Sequence, residues 1–146
     1  MSSTEIARVR VSHGPLPAHA EPWSVPGAGA ILCFDGIVRP NENGKLVDAL
    51  YYEAYEPMAS KMLMRIACEL SVKHGLLAIV VEHSHGRVGA GEVSYRLRVA
   101  SKHRKEAIAA LDEFTDRLKK DVPIWKSTDE QDEQKGSGAK GQGSGV

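Results

Sequence analysis

The sequence predicts an α+β domain. Apolar residues recur at helical spacing in two segments, several other segments read as strands, and the two kinds do not alternate as regular βαβ units. The clearest strand is Val93 to Val99. Val93, Tyr95, Leu97 and Val99 alternate there with Ser94, Arg96 and Arg98, which predicts one buried face and one polar face.

In chain order, Glu5 to Val11 alternates weakly and fits an edge strand. Pro15, Pro17, Pro22 and Pro26 punctuate a connecting segment. The apolar, branched run from Ala28 to Val38 reads as a buried strand. Pro40, Asn41, Asn43 and Gly44 form a polar loop. Leu46 to Tyr55, with three tyrosines, reads as a strand that could pair with the previous one in a long-looped hairpin. Pro57 suits a helix start; Met58, Met62, Leu63, Ile66 and Leu70 keep helical spacing, and Gly75 supplies the stop. Leu76 to His83 is a further strand, and Gly86, Gly89 and Gly91 read as a turn. Ser101 fits a helix cap. Ala107, Leu111, Phe114, Leu118 and Val122 then form one stripe, which Pro123 ends. Ile124 and Trp125 fit a short last strand. The expectation is one domain over residues 1–126. Residues 127–146, in which only Ala139 and Val146 are apolar, are expected to be a disordered Gly-rich tail.

The chain has 146 residues, and its 19 basic side chains balance 19 acidic ones. That balance speaks against a general nucleic-acid binder, which needs a basic excess. Cys33 and Cys68 are too few for a secreted disulfide scaffold. The longest apolar run, Leu76 to Val81, is far short of a membrane span. A cytoplasmic protein is the expectation.

The basic residues carry the chemistry. Ser101-Lys102-His103-Arg104 opens a helix, where free N–H groups and the dipole already favour an anion. Cations there oppose the dipole, so a ligand gives them a purpose; a solvated basic turn explains them without one. Lys119, Lys120 and Lys126 flank the Pro123 corner. Neighbouring ammonium groups depress each other's pKa and suit proton transfer, whereas pairing of Asp116 with Lys119 or Lys120 would do the opposite. Arg39 closes a strand and can fork onto a phosphate or carboxylate. His83 and His85 lack a convincing third ligand, so no metal is expected. Ser101 with His103 lacks an orienting acid for a serine hydrolase.

Phe34-Asp35-Gly36-Ile37-Val38-Arg39, Ser101-Lys102-His103-Arg104 and Leu118-Lys119-Lys120-Asp121-Val122-Pro123-Ile124-Trp125-Lys126 together resemble the signature segments of the molybdopterin synthase large subunit, the MoaE family. Tyr52-Glu53-Ala54-Tyr55 and His83-Ser84-His85-Gly86 fit as well, so the likeness runs from about Gly27 to Lys126. It implies an α/β hammerhead-type mixed sheet with two main helices and a homodimer within a heterotetramer. It also implies a ubiquitin-like small subunit whose C-terminal Gly-Gly thiocarboxylate donates sulfur. The implied substrate is cyclic pyranopterin monophosphate, the product is the molybdopterin dithiolene, and no cofactor is implied. Pocket positions map to Ile37, Val38, Arg39, His103, Arg104, Lys119, Lys126, Ser127 and Thr128. Lys119 and Lys126 would be catalytic, and His103 and Arg104 would enter from the neighbouring protomer. Thr128 stands where such proteins commonly carry an acid, and Thr115 where they carry a methionine-like residue. A paralogue that binds the ubiquitin-like partner without turnover, or an unrelated anion-binding module, are the competing readings.

Overall fold

The computed structural model describes residues 6–128. The chain order is β1 (Ala7–His13), β2 (Ala30–Ile37), β3 (Asn41–Glu42), β4 (Lys45–Leu46), β5 (Ala49–Ala54), α1 (Met58–His74), β6 (Ala78–Gly89), β7 (Val93–Ser101), α2 (Arg104–Asp121) and β8 (Ile124–Ser127). Six strands form a mixed sheet in the order β2–β7–β6–β5–β8, with β1 parallel to β6 and the other pairs antiparallel. This is the α+β, two-helix, mixed-sheet class that the sequence predicts. The Gly-rich stretch from position 129 onward lies outside the described residues.

Both helices cover one face of the sheet. Leu63, Ile66, Ala67 and Leu70 of α1, with Ala107, Ala110, Phe114 and Leu118 of α2, pack on Ile79, Val81, Tyr95, Leu97 and Val99. Helical spacing puts each set on one stripe, and strand alternation turns every second residue of β7 toward it. Gly75 ends α1 in the left-handed region at φ 65°, and its N–H donates to Ser71 O. Glu113 of α2 ties the helices together, 2.9 Å from Lys73 Nζ and 2.8 Å from His74 Nε2. A smaller cluster of Val38, Leu50, Tyr52 and Val88, with Ile124 against it, fills the far end of the sheet.

Several expectations are corrected. β7 has no solvent face: all nine residues are buried. The proline-punctuated segment crosses its polar side. Leu16 bridges to Val93, Arg96 donates to Ala18 O, and Arg98 donates to Glu21 O and stacks over Trp23 at 5.1 Å. Asp35 takes both Arg96 Nε (2.6 Å) and Nη2 (3.1 Å), so the buried guanidinium is held by a fork. The hairpin between β2 and β5 does not form. β2 pairs with β7, and β5 pairs with β6 and β8. The polar loop between β2 and β5 instead folds on itself as the β3–β4 ribbon.

Of the three glycines expected in a turn, Gly86 and Gly89 belong to β6. Gly86, at φ 86°, sits where β6 passes from pairing with β7 to pairing with β5, and a Cβ there would press on the His13 ring. Ser101 is not the helix cap. His103 takes that position, and Ser101 Oγ donates to the His103 carbonyl.

Candidate active site

The ribbon follows from its turn. Asn43 (φ 53°) and Gly44 (φ 83°) take the two positive-φ positions of a tight hairpin, the geometry an Asn-Gly pair favours. Asn41 then faces Leu46 and Glu42 faces Lys45, while Val47 N–H donates to Pro40 O at 2.8 Å and closes the base. Arg39 begins this loop and is exposed. A register shift between Gly36 and Ile37 precedes it. Beyond the shift, Ile37 is 43 % exposed, whereas Val38 is buried with both backbone groups engaged, its N–H on Glu92 O and its carbonyl on Gly91 N–H.

β8 enters from the Pro123 corner, with Tyr55 N–H donating to Pro123 O. Its register against β5 sets Lys126 opposite Tyr52. Alternation places Ile124 and Lys126 on one face, over the smaller core cluster. Lys126 Nζ lies 3.1 Å from Glu42 Oε2, and the two side chains are only 12 % and 14 % exposed. A carboxylate beside Lys126 thus comes from the ribbon, while position 128 is a threonine. Tyr52 donates to Ser94 Oγ at 3.1 Å. Burial pushes the Tyr52 phenol above its usual pKa, and the nearby Glu42 carboxylate adds to that rise.

A groove of about 550 Å³ opens between the ribbon and β5, with Glu42, Lys45, Asp48, Tyr51, Arg87 and Thr128 among its lining. Of the expected pocket positions, Thr128 borders this groove and Lys126 reaches the ribbon through Glu42. Lys119 is exposed in the last turn of α2. Asp116 makes no ion pair with Lys119 or Lys120 among the described residues; Arg117 takes Glu69 (2.8 Å) and Asp121 (3.9 Å) instead.

His103 and Arg104 lie apart. His103 is exposed, 3.6 Å from Glu106, at the start of α2. Lys119 lies fifteen positions after Arg104 in α2, about 22 Å along the helix. One chain cannot bring both ends of α2 onto one small molecule. His83 is buried between the Tyr52 and Tyr95 rings, with Nδ1 2.8 Å from Ser84 O. Thr115 gives its hydroxyl to the core: Oγ1 lies 3.1 Å from Tyr95 OH and donates to Leu111 O.

Glu42 is the residue that sequence reasoning missed. Its one signal was the Asn43–Gly44 turn, which folds the chain back and carries position 42 inward.

Comparison with known proteins gives a consistent picture. The family model described as MoaE protein matches residues 11–121. A molybdopterin synthase catalytic subunit of Thermoplasma volcanium is 43 % identical over 101 residues, 69 % of this chain and 74 % of that protein. The Bacillus subtilis catalytic subunit is also 43 % identical, and the matched region spans 63 % of its length. Among solved structures, molybdopterin synthase from Staphylococcus aureus superposes with a TM-score of 0.69 at 31 % identity, covering 80 % of this chain and 86 % of that one. A Helicobacter pylori complex of subunits 1 and 2 of molybdopterin-converting factor shares the fold at 24 % identity and a TM-score of 0.66, covering 81 % of this chain and 82 % of that one. The chain belongs to the MoaE family, the catalytic subunits of the molybdopterin synthase of molybdenum cofactor biosynthesis.

Proposed function

We propose that this chain carries out the sulfur-transfer step itself. A ubiquitin-like small subunit presents its C-terminal Gly-Gly thiocarboxylate, and cyclic pyranopterin monophosphate receives sulfur to become the dithiolene. The Helicobacter pylori complex of two subunits supports a small-subunit partner. The observation that carries the reading is Lys126, an ammonium only 12 % exposed and tied to the wall of the groove.

Substrate phosphate, tail carboxylate and the intermediates between them are anionic. A cation shielded from bulk water stabilises such charge more strongly than a fully hydrated one. Lys119 is the acid/base or charge-stabilising residue, and Lys126 assists it. Arg39 forks onto phosphate. Ile37 offers an apolar surface to the pterin, with Val38 supporting it from beneath, and Ser127 and Thr128 border the bound substrate. His103 and Arg104 serve the pocket of a second copy of the chain, which the length of α2 requires if they touch the same ligand as Lys119. The assembly is a homodimer carrying one small subunit per protomer.

The test is Lys119→Ala, assayed for dithiolene formation with the thiocarboxylated small subunit. A positioned acid/base group contributes roughly a hundredfold or more, so turnover should fall by at least that much while small-subunit binding stays. Near-normal turnover would end the assignment. A native chain that binds the small subunit yet forms no dithiolene is a scaffold instead.

A further inference from the structure

Glu42 plays no part in the reaction as proposed above, yet its carboxylate lies 3.1 Å from a lysine that does. The two belong to separate pieces of structure. Lys126 lies in the main sheet, whereas Glu42 lies in a two-residue strand whose ladder partner is Lys45. Their contact, 3.1 Å between groups only 12 % and 14 % exposed, joins the ribbon to the sheet.

A lysine is a point charge on a flexible four-carbon stem, and withdrawal from water disfavours its charged form. A carboxylate at hydrogen-bonding distance offsets that cost and fixes the direction of the ammonium. Tyr52 stands opposite Lys126 in the ladder, anchored on Ser94, so the lysine stem has a rigid neighbour on β5 and a charged one on the ribbon. Lys45, Asp48 and Arg87 are the other charged groups bordering the groove.

We propose that Glu42 is a positioning residue for Lys126: it holds the ammonium oriented against the ribbon, and through the same contact it pins the β3–β4 ribbon as the groove wall. The inference deepens the sulfur-transfer reading and rests on it. Glu42 touches no reacting atom; it acts through Lys126.

The experiment compares Glu42→Gln and Glu42→Asp with the native chain, each assembled with the thiocarboxylated small subunit. Two readouts are taken: steady-state dithiolene formation, and acetylation rates of Lys126 and Lys119 by an N-hydroxysuccinimide ester, followed by peptide mass spectrometry. Glu42→Gln should lower kcat about tenfold with little change in KM, the scale expected when a reacting group loses its alignment. Glu42→Asp should recover most of that loss. Lys126 should acetylate several-fold faster in Glu42→Gln, with Lys119 unchanged.

Native kcat together with unchanged Lys126 acetylation in Glu42→Gln overturns the proposal. So does a parallel rise at both lysines with a lowered Tm, which marks general loosening. If the native complex itself forms no dithiolene, the sulfur-transfer reading fails, and the acetylation rates still decide whether Glu42 governs Lys126.

Discussion

The His83 ring sits between Tyr52 at 5.3 Å and Tyr95 at 5.8 Å, and burial holds its pKa down at about 4 against an ordinary 6.5. Its bond to the Ser84 carbonyl opposes that shift without reversing it. The folded ring therefore stays neutral until about pH 4, while the unfolded chain takes up the proton near 6.5. Between those values the unfolded state binds more protons. The stability contribution of the neutral ring is present in full above pH 6.5 and is lost as pH falls toward 4, by on the order of 3 kcal/mol. Urea denaturation at pH 7.5, 6 and 5 should show the decline, and His83→Asn should flatten it. An equal decline in His83→Asn would assign the effect to other groups.

At this scale the motifs single out Arg39, His103, Arg104, Lys119 and Lys126 as candidates. Glu42 is not among them, because an acid in a polar loop reads as solvated. Arg96 and Arg98 looked like the wet side of a strand, and no local pattern reveals that a segment some eighty residues earlier covers them.

Element by element, β2, β5, β6, β7 and both helices were readable from periodicity, while their partners were not. The loop after β2 spends its length on a ribbon, so β2 and β5 never become neighbours. Ladder choice depends on contacts distant in sequence, and the Asn43–Gly44 turn was the one local sign of the ribbon. β5 and β8 pack on the small cluster of Val38, Leu50, Tyr52 and Val88 and the ribbon's Leu46 is exposed, whereas β7 and the first half of β6 lie under both helices. Local opening follows the amount of packed apolar surface. In native-state hydrogen exchange, amides of β8 and the Tyr51–Ala54 part of β5 should exchange well before those of Tyr95–Ala100. Exchange of the two regions at one common rate would show a single cooperative unit instead. Early exchange there would place the wall of the groove in the less stable part of the fold, where a binding site can adjust to its ligand.

For the molecule as a whole, the α+β class and the order of segments followed from hydrophobic pattern, but the distribution of the site did not. Glu42, on the groove wall, holds Lys126, while His103 and Arg104 stand at the opposite end of α2 from Lys119. The N-terminal segment covers β7, and Asp35 forks onto the buried Arg96.

The length of α2 gives the proposed assembly a genetic signature. In that proposal each pocket would combine the helix start of one chain with the helix end of the other. Two separately inactive variants, His103→Ala with Arg104→Ala in one chain and Lys119→Ala in the other, should therefore rescue each other when coexpressed. Random pairing leaves roughly a quarter of the pockets intact. Activity near a quarter of the native level would count one complete pocket per mixed pair; no recovery, with mixed pairs present, would place each pocket within a single chain.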